Sequence, residues 1–224
     1  MPARGILLDI EGTTTPITFV YDVLFPYARR HVSEYVRHAG LADLKREHDD
    51  DLQLGHNPPA WSAGSVAYIH WLMDQDRKST ALKNIQGKIW LEGYRSGELR
   101  GEVFPDVPPA LERWHGDKVD VRIYSSGSVL AQRLLFSSTA AGDLTQFLNG
   151  YFDTTTGAKN DPGSYTTIAK AFGIAASDIL FLSDVTRELD AARFAGMQTR
   201  LCVRPGNHPQ PPHDHDAIQS FDQV

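Results

Sequence analysis

The sequence predicts an α/β fold in which a doubly wound parallel sheet is interrupted by a helical insertion. Strand and helix signals alternate along most of the chain, a pattern typical of parallel sheets flanked by helices. Two predicted strands are continuous apolar runs that lead into aspartate, as expected of strands buried on both faces. Between residues 19 and 100, apolar residues instead recur at helical spacing, and we find no convincing strand. We therefore expect a core at 1–18 and 101–224 with an inserted helical domain at 19–100.

The elements of the core are bounded by turn residues such as glycine, proline and serine. The predicted strands are 5–10, 119–124, 147–152, 179–184 and 199–203, of which 147–152 is the weakest. The predicted core helices are 107–115, 129–136, 165–172 and 187–195. Pro108 and Pro109 are compatible with the first of these helices, because proline is tolerated in a first helical turn.

The insertion is predicted to be helical throughout. Its helices are expected at 23–36, 41–54, 66–73 and 82–90. Its aromatic residues are expected to serve packing; they are Trp61, Tyr68, Trp71 and Trp90. After residue 205 the chain is rich in proline, histidine and aspartate, and we expect it to wrap the surface irregularly. Three tail histidines, His208, His213 and His215, are expected to be solvated, because their spacing matches no zinc site.

Composition excludes several classes of protein. With 22 Lys and Arg against 28 Asp and Glu, the net charge of −6 does not favour nucleic acid or an anionic membrane as partner. The single cysteine, Cys202, excludes an intramolecular disulfide. No apolar run approaches the roughly 20 residues of a membrane span, and residues 1–5 lack a signal-peptide core. These features favour a cytoplasmic enzyme or binding protein.

Three acidic residues follow predicted strands. Asp9 and Glu11 come directly after the first strand, and Gly12 beside them allows a tight turn. Asp184 ends another strand, and the carboxyl ends of parallel strands meet at one edge of a sheet, where ligands bind. Carboxylate oxygens are preferred ligands of Mg²⁺, with waters and phosphate completing the shell. The pattern therefore predicts a magnesium site at this edge.

Polar and basic groups suited to phosphate accompany these acids. Ser125 and Ser126 lie between a strand and a helix, where backbone N–H groups bind anions. Lys159 lies in a predicted loop and supplies a positive charge. Alone, each of these residues is more typical of a helix cap or a surface position. Their joint occurrence in this order instead indicates phosphoryl transfer, with a carboxylate nucleophile and an acyl-phosphate intermediate.

Four blocks in this order resemble the haloacid dehalogenase superfamily of phosphohydrolases. They are Asp-Ile-Glu-Gly-Thr-Thr at 9–14, Tyr-Ser-Ser-Gly-Ser at 124–128, Lys159, and Phe-Leu-Ser-Asp at 181–184. Most members have aspartate where this chain has Glu11. In this difference the sequence resembles the enolase-phosphatases of methionine salvage within the superfamily. Two further blocks carry the same resemblance, Glu-Leu-Asp-Ala-Ala at 188–192 and Val-Arg-Pro-Gly-Asn at 203–207.

This resemblance implies a fold, a reaction and a set of roles. The core would have the haloacid dehalogenase-like fold, with the insertion as a cap over the site. The substrate would be 2,3-diketo-5-methylthiopentyl 1-phosphate, which is enolised and then dephosphorylated to 1,2-dihydroxy-3-keto-5-methylthiopentene. One Mg²⁺ per monomer would be held by Asp9, Asp184 and the backbone carbonyl of Glu11.

The same resemblance assigns the remaining side chains. Asp9 would be the nucleophile and Glu11 the acid–base residue, while Ser125 and Ser126 would bind the substrate phosphate. Lys159 would orient both nucleophile and phosphate. The family implies a monomer with a small phosphate ester as substrate. Our own hypothesis is that the extra methylene of Glu11 lets it transfer a proton to carbon or to an enol oxygen.

Other functions remain open at the level of sequence. A phosphatase of the same superfamily could act on another small substrate, such as a sugar phosphate. A haloalkanoate dehalogenase would use an aspartate nucleophile without Mg²⁺, which the acidic Glu11 and Asp184 disfavour. A phosphoacceptor signalling domain also combines carboxylates, Ser or Thr and Lys on a doubly wound sheet, but lacks a long helical insertion.

Overall fold

Residues 3–77 and 79–224 are described by a computed structural model. In chain order the regular elements are β1 (Gly5–Leu8), α1 (Phe25–Tyr35), α2 (Ala42–Gln53), α3 (Ser65–Asp74), α4 (Thr80–Ser96), α5 (Val107–Gly116), β2 (Asp120–Tyr124), α6 (Val129–Ser137), β3 (Gly150–Phe152), α7 (Pro162–Phe172), β4 (Ile179–Ser183), α8 (Thr186–Phe194), β5 (Gln198–Cys202) and β6 (Ala217–Ile218). A π-helical turn, Phe19–Leu24, precedes α1. No helix of the described residues combines the length and apolar character that crossing a membrane requires.

The strands form one sheet in the order β3-β2-β1-β4-β5-β6, and every paired strand is parallel. This confirms the predicted α/β class with a doubly wound parallel sheet. From β1 the chain builds one side of the sheet with β2 and β3, then returns to build the other side. A crevice forms where the strand order reverses in this way, and ligands of open α/β sheets bind there.

The register of the central strands aligns their carboxyl ends. Leu8, the last residue of β1, lies opposite Ile123 of β2 and Leu182 of β4. Since all four residues of β1 are buried, the strand lies in the interior of the sheet, as its continuous apolar run predicts. The residues that follow β1, β2 and β4 are thereby brought to one edge.

An apolar cluster on one face of the sheet unites β1 and β4 with α7 and α8. Leu7 and Phe181, which are register partners, are fully buried there with Tyr165 of α7 and Leu189 of α8. The helix α7 begins at its N-cap Asp161, whose side chain accepts from the backbone N–H two residues further on at 2.9 Å. The core thus holds the loops before α7 and α8 in place.

The chain divides into two compact units. One contains Arg100–Val224 together with the chain up to Val20, and the other is Tyr21–Leu99. The second unit contains α1 to α4 and, among its described residues, no strand. The division into domains at 1–18 with 101–224 and at 19–100 stays a prediction. Met1, Pro2 and Lys78 fall within those predicted ranges but lie outside the described residues.

Two of the four aromatic side chains that were predicted to serve packing, Tyr68 and Trp90, are buried in the helical unit. Tyr68 is fully buried, and its hydroxyl donates to Asp51 at 2.7 Å. The Trp90 indole is buried and donates to the Leu24 carbonyl at 2.9 Å. Each polar tip has a partner, so both rings are buried without an unsatisfied donor.

The expectation of an irregular tail is wrong for its last part. Residues 217–218 form β6, which extends the sheet beside β5. His215 is buried rather than solvated, and its ring nitrogens lie 3.1 Å from Thr199 Oγ1 and 3.1 Å from Asp190 Oδ1. A two-residue strand is too short to show alternation, so this pairing was not visible in the sequence. His208 and His213 are exposed, as predicted.

Candidate active site

Three site residues predicted from the sequence directly follow adjacent strands. Asp9 follows β1, Ser125 follows β2 and Asp184 follows β4. All three are buried at this edge, with exposed fractions of 4% for Asp9 and 6% for Asp184. Burial of carboxylates is costly in free energy unless they are paired or bind a cation, so the carboxylates at this edge require cationic partners.

The Asp9 carboxylate is held at both oxygens. Lys159 Nζ lies 2.6 Å from Asp9 Oδ1, and the Ile10 N–H donates to the same oxygen at 2.8 Å. The Ser183 hydroxyl donates to Asp9 Oδ2 at 3.3 Å. These contacts restrain the rotation of the carboxylate, as a nucleophile requires if it is to meet its substrate in one geometry.

Lys159 is a buried residue of this site rather than a surface lysine. Its side chain is 10% exposed, and its loop is anchored at three successive carbonyls. Tyr165 donates to the Lys159 carbonyl at 2.7 Å, Ser164 to that of residue 158 at 2.8 Å, and Tyr124 to that of Gly157 at 3.0 Å. A side chain at Gly157 would meet Ser164 Oγ at 2.1 Å, so only glycine lets the loop approach α7 so closely.

Glu188 is a second carboxylate partner of the lysine. Its Oε2 lies 2.6 Å from Lys159 Nζ and 3.1 Å from the Ser183 hydroxyl, whose single proton is shared between Glu188 and Asp9. In the sequence, Glu188 lies one helical turn beyond Asp184. This position is compatible with two roles, support of the metal shell or stabilisation of the start of α8 through the helix dipole. The structure shows a contact with the lysine, which sequence spacing alone did not indicate.

The acids of the site have perturbed pKa values. Burial, followed by the charges of Asp9 and Glu188, raises the pKa of Asp184 to about 8. Burial and the charge of Asp9 raise the pKa of Glu188 to about 7, although Lys159 opposes this. Burial alone would lower the pKa of Lys159, but Asp9 and Glu188 raise it above its ordinary value. One lysine therefore does not neutralise the acids, and a second cation would lower the pKa of Asp184.

The donor set of this edge fits Mg²⁺. Gly12 has φ of +70°, and a side chain there would lie 2.3 Å from Asp184 Oδ2, so glycine lets the Asp184 carboxylate approach the loop after β1. Among the described residues, no three His, Cys, Asp or Glu side chains form a metal cluster. Mg²⁺ commonly takes only one or two carboxylates with waters and substrate oxygens, so Asp9 and Asp184 with a backbone carbonyl suffice.

Glu11 lies in the loop that follows Asp9. It is partly buried, and its backbone pairs with Thr15 in an isolated parallel bridge. The Gly12 N–H donates to the Thr15 carbonyl at 2.8 Å, which closes the loop tightly. The ligand role of the Glu11 carbonyl and the acid–base role of its side chain stay predictions.

The serine-rich turn after β2 divides its tasks. Ser128 caps α6 by accepting from the Ala131 N–H at 3.3 Å, so the cap is neither of the two serines predicted to bind phosphate. Ser125 is buried and accepts from the Gly127 N–H at 3.2 Å, whereas Ser126 is exposed. Both precede the amino end of α6, where an anion is favoured. Their phosphate contacts stay predictions.

Three residues near the site were missed by sequence reasoning. Ser183 joins Asp9 to Glu188, and the Gln132 amide donates to the Gly127 and Phe152 carbonyls, both at 2.8 Å. Asn207 donates to the Gly12 carbonyl at 2.9 Å. The signals available were the Ser-Asp pair at 183–184 and the block at 203–207. Neither signal specifies a contact partner.

Cys202 takes no visible part in this chemistry. Its side chain is buried, and burial raises the pKa of the thiol above its ordinary value. A thiol that stays protonated is a poor nucleophile, so the surroundings of Cys202 make it chemically inert.

The chain belongs to the haloacid dehalogenase-like hydrolases, whose family model matches residues 3–196. Within that family it is similar to proteins named enolase-phosphatase E1. The protein of that name from Synechococcus elongatus is 49% identical over 98% of this chain and 96% of its own length. That from Pseudomonas fluorescens is 45% identical over 99% and 96%. A crystal structure of the UTR4 protein from Saccharomyces cerevisiae, 37% identical, covers 99% of this chain and 100% of its own with a TM-score of 0.81.

Proposed function

We propose that this chain is a magnesium-dependent enolase-phosphatase of methionine salvage. It converts 2,3-diketo-5-methylthiopentyl 1-phosphate into 1,2-dihydroxy-3-keto-5-methylthiopentene and phosphate. The observation that carries the proposal is the buried Asp9 carboxylate, held 2.6 Å from Lys159 at the carboxyl edge of the sheet. Similarity to relatives named enolase-phosphatase E1 over nearly their whole length supports this substrate rather than another phosphate ester.

In the phosphatase step, Asp9 acts as the nucleophile. A carboxylate oxygen attacks phosphorus while the bond from phosphorus to the substrate oxygen breaks, leaving an aspartyl phosphate. Glu11 donates a proton to the departing oxygen. Water then attacks phosphorus and gives its proton to Glu11, and the bond from phosphorus to Asp9 breaks to release phosphate. Lys159 offsets the negative charge that accumulates in both transfers.

Binding of the phosphate is assigned to the turn after β2. Ser125 and Ser126 donate to phosphoryl oxygens at the amino end of α6, and Lys159 orients the same group. One Mg²⁺ per chain would be held by Asp9, Asp184 and the Glu11 carbonyl. When bound, the ion supplies charge neutralisation and Lewis-acid polarisation of the substrate.

Glu11 gives the proposal its bifunctional character. Its side chain is one methylene longer than the aspartate found in most of the superfamily, so its carboxyl reaches further from the nucleophile. We assign it proton transfer at carbon or at the enol oxygen during enolisation, in which carbon loses a proton and the carbonyl oxygen gains one. Glu11→Asp should therefore reduce enolisation more than phosphate release from a simple ester, and equal losses would contradict this role.

The test separates the two reactions with the diketone phosphate and Mg²⁺. Ultraviolet absorbance follows enol formation, and a colorimetric assay follows phosphate. Asp9→Asn should abolish phosphate release, whereas Asp117→Asn, at an exposed position after α5, should leave both reactions unchanged. Normal phosphate release by Asp9→Asn would overturn the nucleophile assignment. Release from sugar phosphates, with none from the diketone, would instead favour the other phosphatase function.

The proposed site needs no second copy of the chain. Asp9, Lys159, Asp184 and Glu188 all belong to one unit of one chain, so we propose that the enzyme acts as a monomer. Light scattering under assay conditions would show a mass of one chain, and a dimer that dissociates with loss of activity would contradict this.

A further inference from the structure

The segment after β5 contacts the loop that carries the nucleophile. Residues 203–207 contributed to the family resemblance, but the mechanism above gives them no role. Two side chains of the segment, Arg204 and Asn207, donate hydrogen bonds to backbone carbonyls of residues 12–13. These residues directly follow Glu11, so the segment is placed to control the geometry of the proposed metal site.

Arg204 anchors the segment in the core. Its guanidinium is 4.7 Å from the ring centre of Phe104 and 4.6 Å from that of Phe221, and it pairs with Asp106 at 2.9 Å. Its Nε also donates to the Thr13 carbonyl at 3.2 Å. A guanidinium held by two rings, a carboxylate and a carbonyl has little freedom, so the residues that follow it are fixed as well.

The amide of Asn207 has a defined orientation. Its Nδ2 donates to the Gly12 carbonyl at 2.9 Å and to the Cys202 carbonyl at 3.1 Å. Only the NH₂ group of an amide can donate to two carbonyls, so Nδ2 faces these carbonyls and Oδ1 points away from them. In the described part of the chain this Oδ1 is buried and has no hydrogen-bond partner. A buried polar atom normally has one, so Oδ1 is suited to accept from a ligand or from its hydration shell.

The free oxygen of Asn207 lies beside the Asp184 carboxylate. The position that a Cβ of Gly12 would take is 2.3 Å from Asp184 Oδ2 and 3.0 Å from Asn207 Oδ1. The two oxygens are therefore no more than about 5.3 Å apart. Adjacent ligand oxygens of Mg²⁺ are about 3 Å apart, and a hydrogen bond adds roughly 2.8 Å beyond a coordinated water. Asn207 Oδ1 is thus within outer-shell range of a cation bound by Asp184.

We propose that Asn207 is a positioning residue for the magnesium ion of this enzyme. Its Oδ1 accepts a hydrogen bond from a water of the coordination shell, and its Nδ2 holds the Gly12 peptide next to the Glu11 carbonyl. The proposal rests on the magnesium chemistry proposed above. It gives the block at 203–207 a function: Arg204 anchors the segment, and Asn207 joins it to the metal site.

Isothermal titration calorimetry of the full chain with MgCl₂, without substrate, measures the affinity for Mg²⁺ and tests this assignment. Asn207→Ala should weaken Mg²⁺ binding about 10- to 100-fold, the range typical of outer-shell partners. Asn207→Asp keeps an oxygen at Oδ1 and should bind Mg²⁺ more tightly than Asn207→Ala. The matched control is Asn149→Ala, at an exposed residue before β3, which should bind as the unaltered protein does.

The outcomes separate this inference from the proposed function. Thermal unfolding without Mg²⁺ verifies that each variant is folded. If Asn207 were purely structural, its replacement by alanine would lower the unfolding temperature and leave the affinity for Mg²⁺ unchanged. Folded Asn207→Ala with unaltered affinity overturns the inference alone, and so does folded Asn207→Asp that binds no Mg²⁺. If Asn207→Ala does not fold, the Asp variant decides. Absence of Mg²⁺ binding in the unaltered protein would reject both proposals.

Discussion

Replacement of Lys159 by methionine tests whether the buried acids depend on this one lysine. Its Nζ lies 2.6 Å from both Asp9 Oδ1 and Glu188 Oε2. At an effective dielectric constant of about 20, each contact corresponds to roughly 6 kcal/mol of attraction. Burying the three charges costs several kcal/mol per ion, which offsets much of this attraction. Removing one partner of such a pair typically costs about 3–5 kcal/mol, since the acids stay buried without compensation.

We therefore expect Lys159→Met to lower the free energy of unfolding by about 3–5 kcal/mol at pH 8. The loss should be smaller at pH 5. Burial and Asp9 already raise the pKa of Glu188 to about 7, so at pH 5 this carboxyl takes up a proton and the uncompensated charge is reduced. The lysine itself stays charged throughout this range because its pKa is raised.

Urea unfolding followed by circular dichroism, in metal-free buffer at both pH values, measures this effect. Lys170→Met, at an exposed position of α7, is the matched control and should change stability by less than about 0.5 kcal/mol. Adding Glu188→Gln to Lys159→Met should recover part of the loss, and with the Glu188→Gln single variant measured as well, the cycle gives the coupling energy between the two residues. A loss below about 1 kcal/mol at pH 8, or an equal loss at both pH values, would refute the reasoning.

Three further predictions concern the metal site and the helical unit. Gly12→Ala should abolish detectable Mg²⁺ binding in calorimetry, because its Cβ would lie 2.3 Å from Asp184 Oδ2, whereas Gly55→Ala, also at positive φ but in open space, should retain it. The affinity for Mg²⁺ should rise between pH 6 and 8 with release of a proton, since protonated Asp184 does not bind cations and its pKa is raised to about 8. An affinity that does not change over this pH range would contradict this prediction. Asp51→Asn should lower stability in urea by about 1–3 kcal/mol at pH 7 by breaking the pair with Arg77. Burial alone would raise the pKa of Asp51, but His56, Tyr68 and Arg77 outweigh burial and lower it. The stabilisation by Asp51 should therefore be present above the ordinary aspartate pKa and be lost in acid. Equal urea midpoints for the variant and the unaltered protein at pH 7 would count against this prediction.

The sequence by itself determined the class of fold and the edge at which chemistry takes place. Apolar runs leading into Asp9 and Asp184 predicted buried parallel strands, and parallel strands necessarily present their carboxyl ends at one edge. Hydrophobic periodicity is a local property, so it located the helices of both units to within three residues, except that α4 continues six residues beyond its predicted end. It failed at the tail, where β6 is too short to have a period.

Only the tertiary structure decided which side chains meet. Lys159 is 150 positions from Asp9 in sequence, and its ion pair depends on the path of a loop anchored by Tyr124, Ser164 and Tyr165. Asn207 is 195 positions from Gly12, and its contact depends on a turn that extends beyond β5. Residue types and short-range spacing predict which chemistry is available, whereas distances between such side chains follow from the packing of the whole sheet. For that reason the acids were found from the sequence, and the groups that hold them in place were not.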